Sequence, residues 1–414
     1  MTKCISCDSL LDPNTCEIGN QYPSAVYLKP ELDDSLYERS SLDLAICSNS
    51  KCRLVQLSHI LDLSFVYREY PYQTGTTATM GRELKDFIDS SLKQIDLQKG
   101  DVILDIGGND GTLLSNFQGQ GYKLVNIDVA SDINQVFASP DYNYINSKFS
   151  RAAYHAITND APKCIFSSAV FYQVQDLMNF CEDIKQIMNN DTVFFLQMSY
   201  VGSMYQNNVF DNVVHEHISY FSLFSLHFLV SRFGLRIISA EIIPLYGGSL
   251  RVSIVRESST KFKVDASVGE ILRIEQQLRL NDPIKLMSFG EQFKMWKIEA
   301  RQTYSKLVDD FGFVIGFGAS TKGNMILQAL DINSNTMKYI VDNNQKKIGT
   351  ITMGSRIPIV SESNFRPDSS AIMLLPYYYK DYFIARLGEL CDDNAELKIF
   401  IPLPKPEVLY VRRT

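Results

Sequence analysis

Four cysteines near the N-terminus have the spacing of a metal site. Cys4 and Cys7 form a C-x2-C pair, and Cys47 and Cys52 form a C-x4-C pair farther along the chain. Each short knuckle places two thiolates on one side of a tetrahedral Zn²⁺, and four thiolates leave no open position for substrate. The pattern predicts a structural zinc ion, and the alternative is four incidental thiols. The other cysteines are interpreted as packing residues: Cys16, Cys164, Cys181 and Cys391.

A glycine loop, D-I-G-G-N-D-G at 105–111, follows an apolar run and precedes a helical pattern. Glycines let the backbone approach a ligand, and Asp128 is placed to accept hydrogen bonds from ribose hydroxyls. The spacing is not G-x-G-x-x-G, and it is more typical of S-adenosylmethionine sites. A nicotinamide cofactor and a ligand-free turn remain alternatives. The predicted cofactor contacts are Asp105, Gly107, Gly108, Asn109, Asp110, Gly111 and Asp128.

The densest acid/base group is V-H-E-H at 214–217, which holds two of the five histidines. A histidine beside a carboxylate is the usual composition of a general base near neutral pH. The two imidazoles would point to one face only if the segment were a strand. Zinc binding is a rival interpretation, although the helical zinc motif requires H-E-x-x-H. A pair of surface or hydrogen-bonding histidines is the other alternative.

A second glycine loop, G-F-G-A-S-T-K-G at 316–323, also lies between a strand pattern and a helix pattern. It offers backbone donors, two hydroxyls and one lysine, which suit a diphosphate. Its spacing is not that of a Walker loop. A packing turn is the alternative. The predicted substrate contacts in this part of the chain are Gly318, Ser320, Lys322, Asp342 and Asn343.

Alternating strands and helices are predicted to position these residues. Apolar runs at 102–106 and 123–130 read as buried parallel strands, and an amphipathic helix precedes them near residue 81. Two further strands flank a helix at about 176–188, which predicts a doubly wound α/β domain. A two-stranded unit bent at Gly247-Gly248, a long helical connector at 268–310 and a smaller α/β unit follow.

Composition narrows the function classes. A chain of 414 residues predicts two or three domains, and 45% hydrophobic with 21% charged residues is typical of a soluble globular protein. The formal net charge of -7 argues against a sequence-independent nucleic-acid binder. Neither a membrane span nor a signal core is evident. A cytoplasmic enzyme is expected, without nucleic-acid or membrane partners, and nothing indicates more than a monomer.

Taken in order, the motifs resemble those of the sugar C-methyltransferases of deoxysugar pathways. The resemblance spans nearly the whole chain, and its motifs are the cysteine module, C-R-L-V-Q-L, Y-P-Y, G-x-N-D-G, F-D-x-x-x-H-E-H-x-x-Y-F, G-G-S-L-R, G-F-G-A-S-T-K-G and V-D-N-N. It implies a zinc-binding domain at 1–75, a class I S-adenosylmethionine-dependent (Rossmann-like) domain at 76–290 and a C-terminal Rossmann-like α/β domain at 291–414. The last of these would help to hold the nucleotide sugar.

The resemblance also implies the chemistry, which is methylation at C-3 of a nucleotide-linked 4-keto-6-deoxysugar. A base removes the C-3 proton, and the enolate attacks the methyl group. The base corresponds to His217, with Glu216 orienting or assisting it, and His215 is the next candidate. Tyr72, in the Y-P-Y motif, would stabilise the enolate oxygen. The other matched motifs imply substrate contacts at Tyr220, Gly248, Ser249 and Arg251.

Two positions depart from the family pattern. Val214 stands where the family usually has tyrosine, and Gln173-Val174-Gln175-Asp176 stands in place of H-V-P-D. Glutamine can donate a hydrogen bond but cannot act as an acid or base. Two rival functions therefore stay open, an NAD-dependent sugar-nucleotide dehydrogenase and a non-catalytic sugar-nucleotide-binding homologue.

Overall fold

The computed structural model contains an N-terminal cysteine module, a central α/β unit and a C-terminal α/β unit. It describes residues 2–63, 65–66, 73–76, 78–130, 135–365, 371–390 and 396–412. Within these ranges no helix is both long and apolar enough to cross a membrane.

The cysteine module consists of short strands. They are β1 (Leu11–Cys16), β2 (Asn20–Gln21), β3 (Tyr27–Leu28), β4 (Ser40–Ser41), β5 (Leu44–Cys47) and β6 (Val55–Leu57). Every residue of β5 and β6 is buried, and their apolar side chains belong to the same core cluster as those of the central unit. Its antiparallel sheet has the order β1-β5-β6 and continues into a strand of the central unit.

The central unit alternates strands and helices. Its first half contains α1 (Ala78–Leu92), β7 (Val102–Ile106), α2 (Thr112–Ser115), β8 (Lys123–Asp128), β9 (Tyr142–Asn146), α3 (Arg151–His155), β10 (Cys164–Ser168), α4 (Leu177–Ile187) and β11 (Val193–Ser199). Its second half contains α5 (Val201–Gln206), β12 (Ser219–Tyr220), α6 (Leu223–Ser231), β13 (Leu235–Ile243), β14 (Ser249–Arg256) and α7 (Ala266–Gln277).

The central sheet has seven strands in the order β13-β14-β11-β10-β7-β8-β9. Its strands run parallel from β9 to β11, and β14 pairs antiparallel with both β11 and β13. All five residues of β7 are buried, as expected for a strand covered on both faces. The chain leaves β7 toward β8 on one side and returns to β10 on the other, which opens a crevice at their carboxyl ends.

The connector between the units is two helices rather than one. After α7, the helix α8 (Pro283–Phe311) begins with Asp282 as its N-cap and proline as its first residue. Proline lacks the N–H that a continuous helix would need, so the predicted helix breaks there. The predicted division at residues 290 and 291 stays a prediction, and it falls within α8.

The C-terminal unit is a second α/β layer. It contains β15 (Val314–Phe317), α9 (Thr321–Ala329), β16 (Met337–Asp342), β17 (Ile351–Thr352), β18 (Ile359–Ser361), β19 (Ala371–Leu374), α10 (Lys380–Leu390), β20 (Glu396–Ile401) and β21 (Glu407–Arg412). Its sheet has the order β18-β16-β15-β19-β20-β21, with only β21 antiparallel among these strands. Separately, β17 pairs with β3, which ties this unit to the cysteine module.

Candidate active site

The four predicted metal ligands come together in the cysteine module. The sulfur atoms of Cys4, Cys7, Cys47 and Cys52 all lie within 4.8 Å of one another, and two of their separations are 3.5 and 3.7 Å. Tetrahedral zinc with bonds of about 2.3 Å requires sulfur separations of about 3.8 Å. The backbone N–H of Ser6 also donates to Cys4 Sγ at 3.4 Å. The donor set and its geometry therefore fit a structural zinc ion.

The other cysteines are not part of this cluster. Cys16, Cys164 and Cys181 are buried in apolar surroundings, in agreement with a packing role. Cys391 lies outside the described residues.

The first glycine loop joins β7 to α2 at the crevice of the central sheet. Gly107 has φ +73°, and a Cβ atom there would lie 2.2 Å from Val170 Cγ2. A Cβ atom on Gly108 would lie 2.5 Å from Asp105 Oδ2. At these two positions a side chain would collide with the walls of the loop, so the glycines allow a close approach of backbone and ligand. The helix that follows has only four residues, so the loop itself, rather than a helix end, forms the site.

Three carboxyl groups surround this loop. Burial, with Asp128 and Asp110 nearby, raises the pKa of Asp105 well above its ordinary value, and burial raises the pKa of Asp128. Asp128 accepts hydrogen bonds from the backbone of Asn109 at 2.8 Å and of Ala130 at 2.7 Å. S-adenosylmethionine carries a sulfonium, an ammonium and two ribose hydroxyls, so an acidic loop fits it.

The remaining loop residues fix the loop to a preceding segment. Asn109 Oδ1 accepts from the backbone of Thr74 at 3.0 Å, and Asp110 Oδ2 accepts from the backbone of Gly75 at 2.8 Å. Gly111 has φ +83° and lies against the hydroxyl of Tyr142. These contacts hold the loop in one shape before any ligand binds.

His217 lies at the end of a turn, because its N–H bonds to Val214 O at 3.0 Å. Its ring nitrogen Nδ1 donates to Asn212 O at 2.8 Å. A carbonyl can only accept, so the neutral ring carries its proton on Nδ1 and leaves Nε2 as the basic atom. Burial, and then the charge of Lys322, lower the pKa of His217 to about 3. The ring is therefore uncharged near neutral pH, with Nε2 unprotonated.

His215 and Glu216 point away from His217 and contact the cysteine module. Nε2 of His215 donates to Ser40 O at 3.1 Å, and burial lowers its pKa to about 4. Oε1 of Glu216 accepts from the backbone of Ala25 at 3.1 Å, and burial raises its pKa to about 7. The two histidines do not share a face, since the segment is a turn. His217 is oriented by its hydrogen bond to Asn212 O, whereas the resemblance assigns the orienting role to Glu216.

A short segment that contains Val170 and Tyr172 connects His217 to the cofactor loop. The ring of Tyr172 packs edge-on against the His217 ring with centroids 4.4 Å apart. Two residues earlier, Val170 packs on Gly107 of the glycine loop. Residues 170 to 172 follow β10 directly, at the carboxyl edge of the sheet. The candidate base and the candidate cofactor loop are thus on the two sides of one short turn.

Lys322 comes from the C-terminal unit to the same place. Its Nζ lies 4.6 Å from the ring centroid of Tyr378 and 5.1 Å from that of Tyr246. Asp211 is fully buried nearby, and its Oδ1 accepts from the hydroxyls of Tyr377 at 2.9 Å and Tyr378 at 2.7 Å. Burial raises the pKa of Asp211, and the charge of Lys322 opposes that rise.

Sequence reasoning missed most residues around Lys322. Asp211 and Asn212 lie inside the F-D-x-x-x-H-E-H motif, but the sequence identifies only the histidines and the glutamate of this motif as acid/base candidates. Tyr377 and Tyr378 follow β19 at the carboxyl edge of its sheet, in the run P-Y-Y-Y. Aromatic residues at that edge are a signal that could have identified them.

The other predicted residues of the second loop bond mainly to each other. Gly318 has φ +81°, Ser320 caps α9 by accepting from Gly323 N, and Asp342 accepts from Ala319 N at 2.7 Å. Asn343 donates to Glu362 at 3.1 Å. Lys322 therefore turns toward the His217 region, while its neighbours shape the loop.

Four motif residues lie within the central unit. Tyr220 is buried with its hydroxyl 3.4 Å from Asn212 O, and Ser249 donates to Leu245 O at 3.0 Å. A Cβ atom on Gly248 would lie 2.1 Å from Ser203 Cβ. Arg251 pairs with Asp86 at 2.7 Å and lines a small cavity beside α1. The described contacts of these four residues are thus internal.

The positions that depart from the family pattern are also internal. Val214 is 1% exposed, and Gln173 donates to Ala169 O at 3.0 Å. Tyr72, the predicted partner of the enolate oxygen, lies outside the described residues.

Comparison with known proteins identifies both halves of the chain. A family model described as the C-methyltransferase C-terminal domain matches residues 244–404, and a methyltransferase-domain model matches residues 77–240. The C-methyltransferase NovU of Streptomyces niveus is 25% identical over 381 residues, which cover 90% of this chain and 88% of that protein.

Two solved methyltransferases are similar to part of the chain. The glycopeptide N-methyltransferase MtfA, complexed with S-adenosylmethionine, has 10% identity and a TM-score of 0.32 and covers 42% of this chain and 93% of its own. The 1,6-didemethyltoxoflavin-N1-methyltransferase of Burkholderia thailandensis has 12% identity and a TM-score of 0.33 and covers 51% of this chain and 95% of its own.

The two family models follow the predicted order, with the methyltransferase domain before the C-methyltransferase C-terminal domain, and the relative covers both. They confirm the predicted class I methyltransferase fold and the predicted use of S-adenosylmethionine. The chain is therefore similar to C-methyltransferases over most of its length, as its sequence motifs indicate.

Proposed function

We propose that the protein methylates C-3 of a nucleotide-linked 4-keto-6-deoxysugar through an enolate, with His217 as the base. The observation that carries this proposal is the hydrogen bond from His217 Nδ1 to Asn212 O. It leaves Nε2 unprotonated on a ring that packs against Tyr172, beside the turn that touches the cofactor loop.

The proposed reaction begins at the carbon next to the keto group. His217 Nε2 takes the C-3 proton, and the C–H electron pair becomes the double bond of the enolate. S-adenosylmethionine, when bound, would supply an electrophilic methyl group; its transfer to the enolate carbon would break the methyl–sulfur bond and leave S-adenosylhomocysteine. The base must be neutral to begin, and the low pKa of His217 ensures that it is.

The nucleotide sugar is proposed to bind between the central and C-terminal units. The side chains that meet there include Asp211 and Tyr246 from the first and Lys322 and Tyr378 from the second. The predicted contacts of Gly318, Ser320, Asp342 and Asn343 with the nucleotide remain part of this proposal. Tyr220, Gly248, Ser249 and Arg251 would support the site from behind, since their contacts are internal.

The experiment is incubation of the protein with S-adenosylmethionine and a panel of nucleotide-linked keto-deoxysugars, followed by mass spectrometry. We expect a gain of one methyl group on a 4-keto sugar. In deuterated water, with S-adenosylhomocysteine replacing the methyl donor, we expect deuterium at C-3 of the same sugar. Methylation at oxygen or nitrogen, or at a carbon with no neighbouring keto group, would contradict the proposal.

A second experiment separates the rival functions. Nucleoside diphosphates and S-adenosylhomocysteine are each expected to raise the thermal unfolding temperature, while NAD(H) is not, because the glycine spacing at 105–111 is not that of a dinucleotide-binding loop. Protection by NAD(H) alone would favour the dehydrogenase. Protection by both expected ligands without turnover or exchange on any sugar would favour the non-catalytic homologue.

A further inference from the structure

Lys322 carries a buried ammonium group whose hydrogen bonds are not satisfied. Its Nζ is inaccessible to solvent, and no described residue accepts a hydrogen bond from it. Two tyrosine rings face the charge, at 4.6 and 5.1 Å from their centroids. Ring faces stabilise a cation, but they do not replace the acceptors that three N–H groups lose on burial. The arrangement leaves a place for an oxygen acceptor beside the ammonium.

The carboxyl group of Asp211, next to Lys322, also has an atom whose hydrogen bonds are not satisfied. Asp211 Oδ1 accepts from two tyrosines, but Oδ2 is buried with no partner in the described part of the chain. The carboxylate and the ammonium attract each other, yet no hydrogen bond joins them. Asp211 thus balances the charge of Lys322 without occupying its donors. The ammonium keeps its hydrogens available for a third group.

The position of Lys322 relative to His217 identifies that third group. Lys322 Nζ lies 4.6 Å from the ring of Tyr378, and the hydroxyl of Tyr378 donates to Asp211 Oδ1 at 2.7 Å. The next residue, Asn212, holds the His217 ring through its carbonyl at 2.8 Å. The keto oxygen is two bonds from the carbon that loses its proton, so it lies near the base that removes that proton. A cation close to the base is therefore close to the atom on which negative charge develops.

We propose that Lys322 is a catalytic residue that donates a hydrogen bond to the keto oxygen of the substrate and stabilises the enolate. This inference rests on the proposed function. As His217 Nε2 takes the proton, the C–H pair forms the carbon–carbon double bond, and the carbonyl π pair moves to the oxygen. The ammonium of Lys322 stays protonated and only shortens its hydrogen bond to that oxygen.

Val214 supports this assignment. Its buried aliphatic side chain cannot donate a hydrogen bond, so residue 214 offers nothing to a developing oxyanion. The diphosphate role predicted from the loop motif would instead require Lys322 to face the phosphates, which the sugar ring separates from C-3. The ammonium lies against Tyr246 and Tyr378 with Asp211 as its charge partner, and this arrangement favours the keto oxygen.

The test compares Lys322→Met and Lys322→Arg with the parent and with a matched control. Lys338→Met is the control, because Lys338 also lies over an aromatic ring, that of Phe313 at 4.6 Å, but is exposed. Methionine fits between the tyrosine rings without a charge, and arginine restores the charge. We measure turnover, deuterium exchange at C-3 with S-adenosylhomocysteine bound, and the affinity for the nucleoside diphosphate alone.

For Lys322→Met we expect turnover and exchange to fall by about 10²–10³-fold, with unchanged diphosphate affinity. Lys322→Arg should recover part of the loss, and Lys338→Met should behave as the parent. Exchange at the parent rate in Lys322→Met would overturn the proposal and leave the proposed function intact. Weaker diphosphate binding with undiminished exchange would return Lys322 to the phosphates. A parent that exchanges no proton would refute the proposed function itself.

Discussion

Glu216 gives a prediction that is worked directly from its surroundings. Its carboxyl is 4% exposed, one oxygen accepts only a backbone N–H from Ala25, and burial raises its pKa from 4.5 to about 7. The folded protein therefore binds this proton more tightly than the unfolded chain does. Between pH 4.5 and 7 the unfolded chain loses the proton first, so the free energy of unfolding falls as the pH rises. At about 1.4 kcal/mol per pH unit, the loss is on the order of 3 kcal/mol.

Glu216→Gln should remove this dependence, because the amide is neutral at every pH. Other buried carboxyls with raised pKa values contribute slopes of the same sign, namely Asp105, Asp128, Asp211 and Glu275. The informative quantity is therefore the difference between parent and variant in calorimetry at pH 5 and pH 7.5. The variant should gain relative to the parent at the higher pH. The exposed Glu241→Gln serves as control. Parallel stability curves for parent and Glu216→Gln would refute the reasoning.

Three further predictions follow from the other sites. One zinc per chain should be found by metal analysis, and Cys47→Ser should lose it with a thermal destabilisation; a metal-free Cys47→Ser protein as stable as the parent would contradict the zinc assignment. Asp128→Asn should weaken the binding of S-adenosylhomocysteine by about 1.5–3 kcal/mol in calorimetry, because a charged acceptor of ribose hydroxyls is lost. Equal affinity in parent and variant would exclude that contact. His217→Gln, which keeps an N–H for Asn212 O, should lose about 10²–10⁴-fold in turnover with both ligands still bound, and C-3 exchange at the parent rate would point to another base.

The central sheet could be predicted from the sequence because its strands are buried on both faces. β7, β10 and β11 are nearly continuous apolar runs, which periodicity identifies directly. The edge strand β9, Y-N-Y-I-N, was not predicted, since none of its residues is buried. The break between α7 and α8 depends on one proline. A helical pattern that continues over 43 residues does not reveal this break.

Some residues of the candidate site could be predicted from the sequence, and others could not. The glycine loop and the turn at His217 are local motifs, so their residues could be named from the sequence. Contacts that join distant segments could not be named, because no sequence pattern encodes them. The direction of Lys322 is an example, since it depends on Asp211, which is more than one hundred positions earlier, and on Tyr378, which follows a different strand.

The cysteine module holds the segment that carries the candidate base. β6 pairs with β12, so that Gln56 lies opposite Ser219, two residues after His217. On the other side of the turn, His215 bonds to Ser40 O and Glu216 to the backbone of Ala25. A turn anchored at both ends by one module has few ways to move, and the ring of His217 is then held by Asn212 O and by the ring of Tyr172. A metal ion that stabilises the module would therefore contribute to the position of Nε2 without lying near the substrate. The metal and the base are then separate sites of one rigid element. Loss of the metal should lower turnover, because Nε2 of His217 would be less well positioned. It should leave the acidic cofactor loop able to bind its ligand, because β7 and β8 build that loop independently of the module.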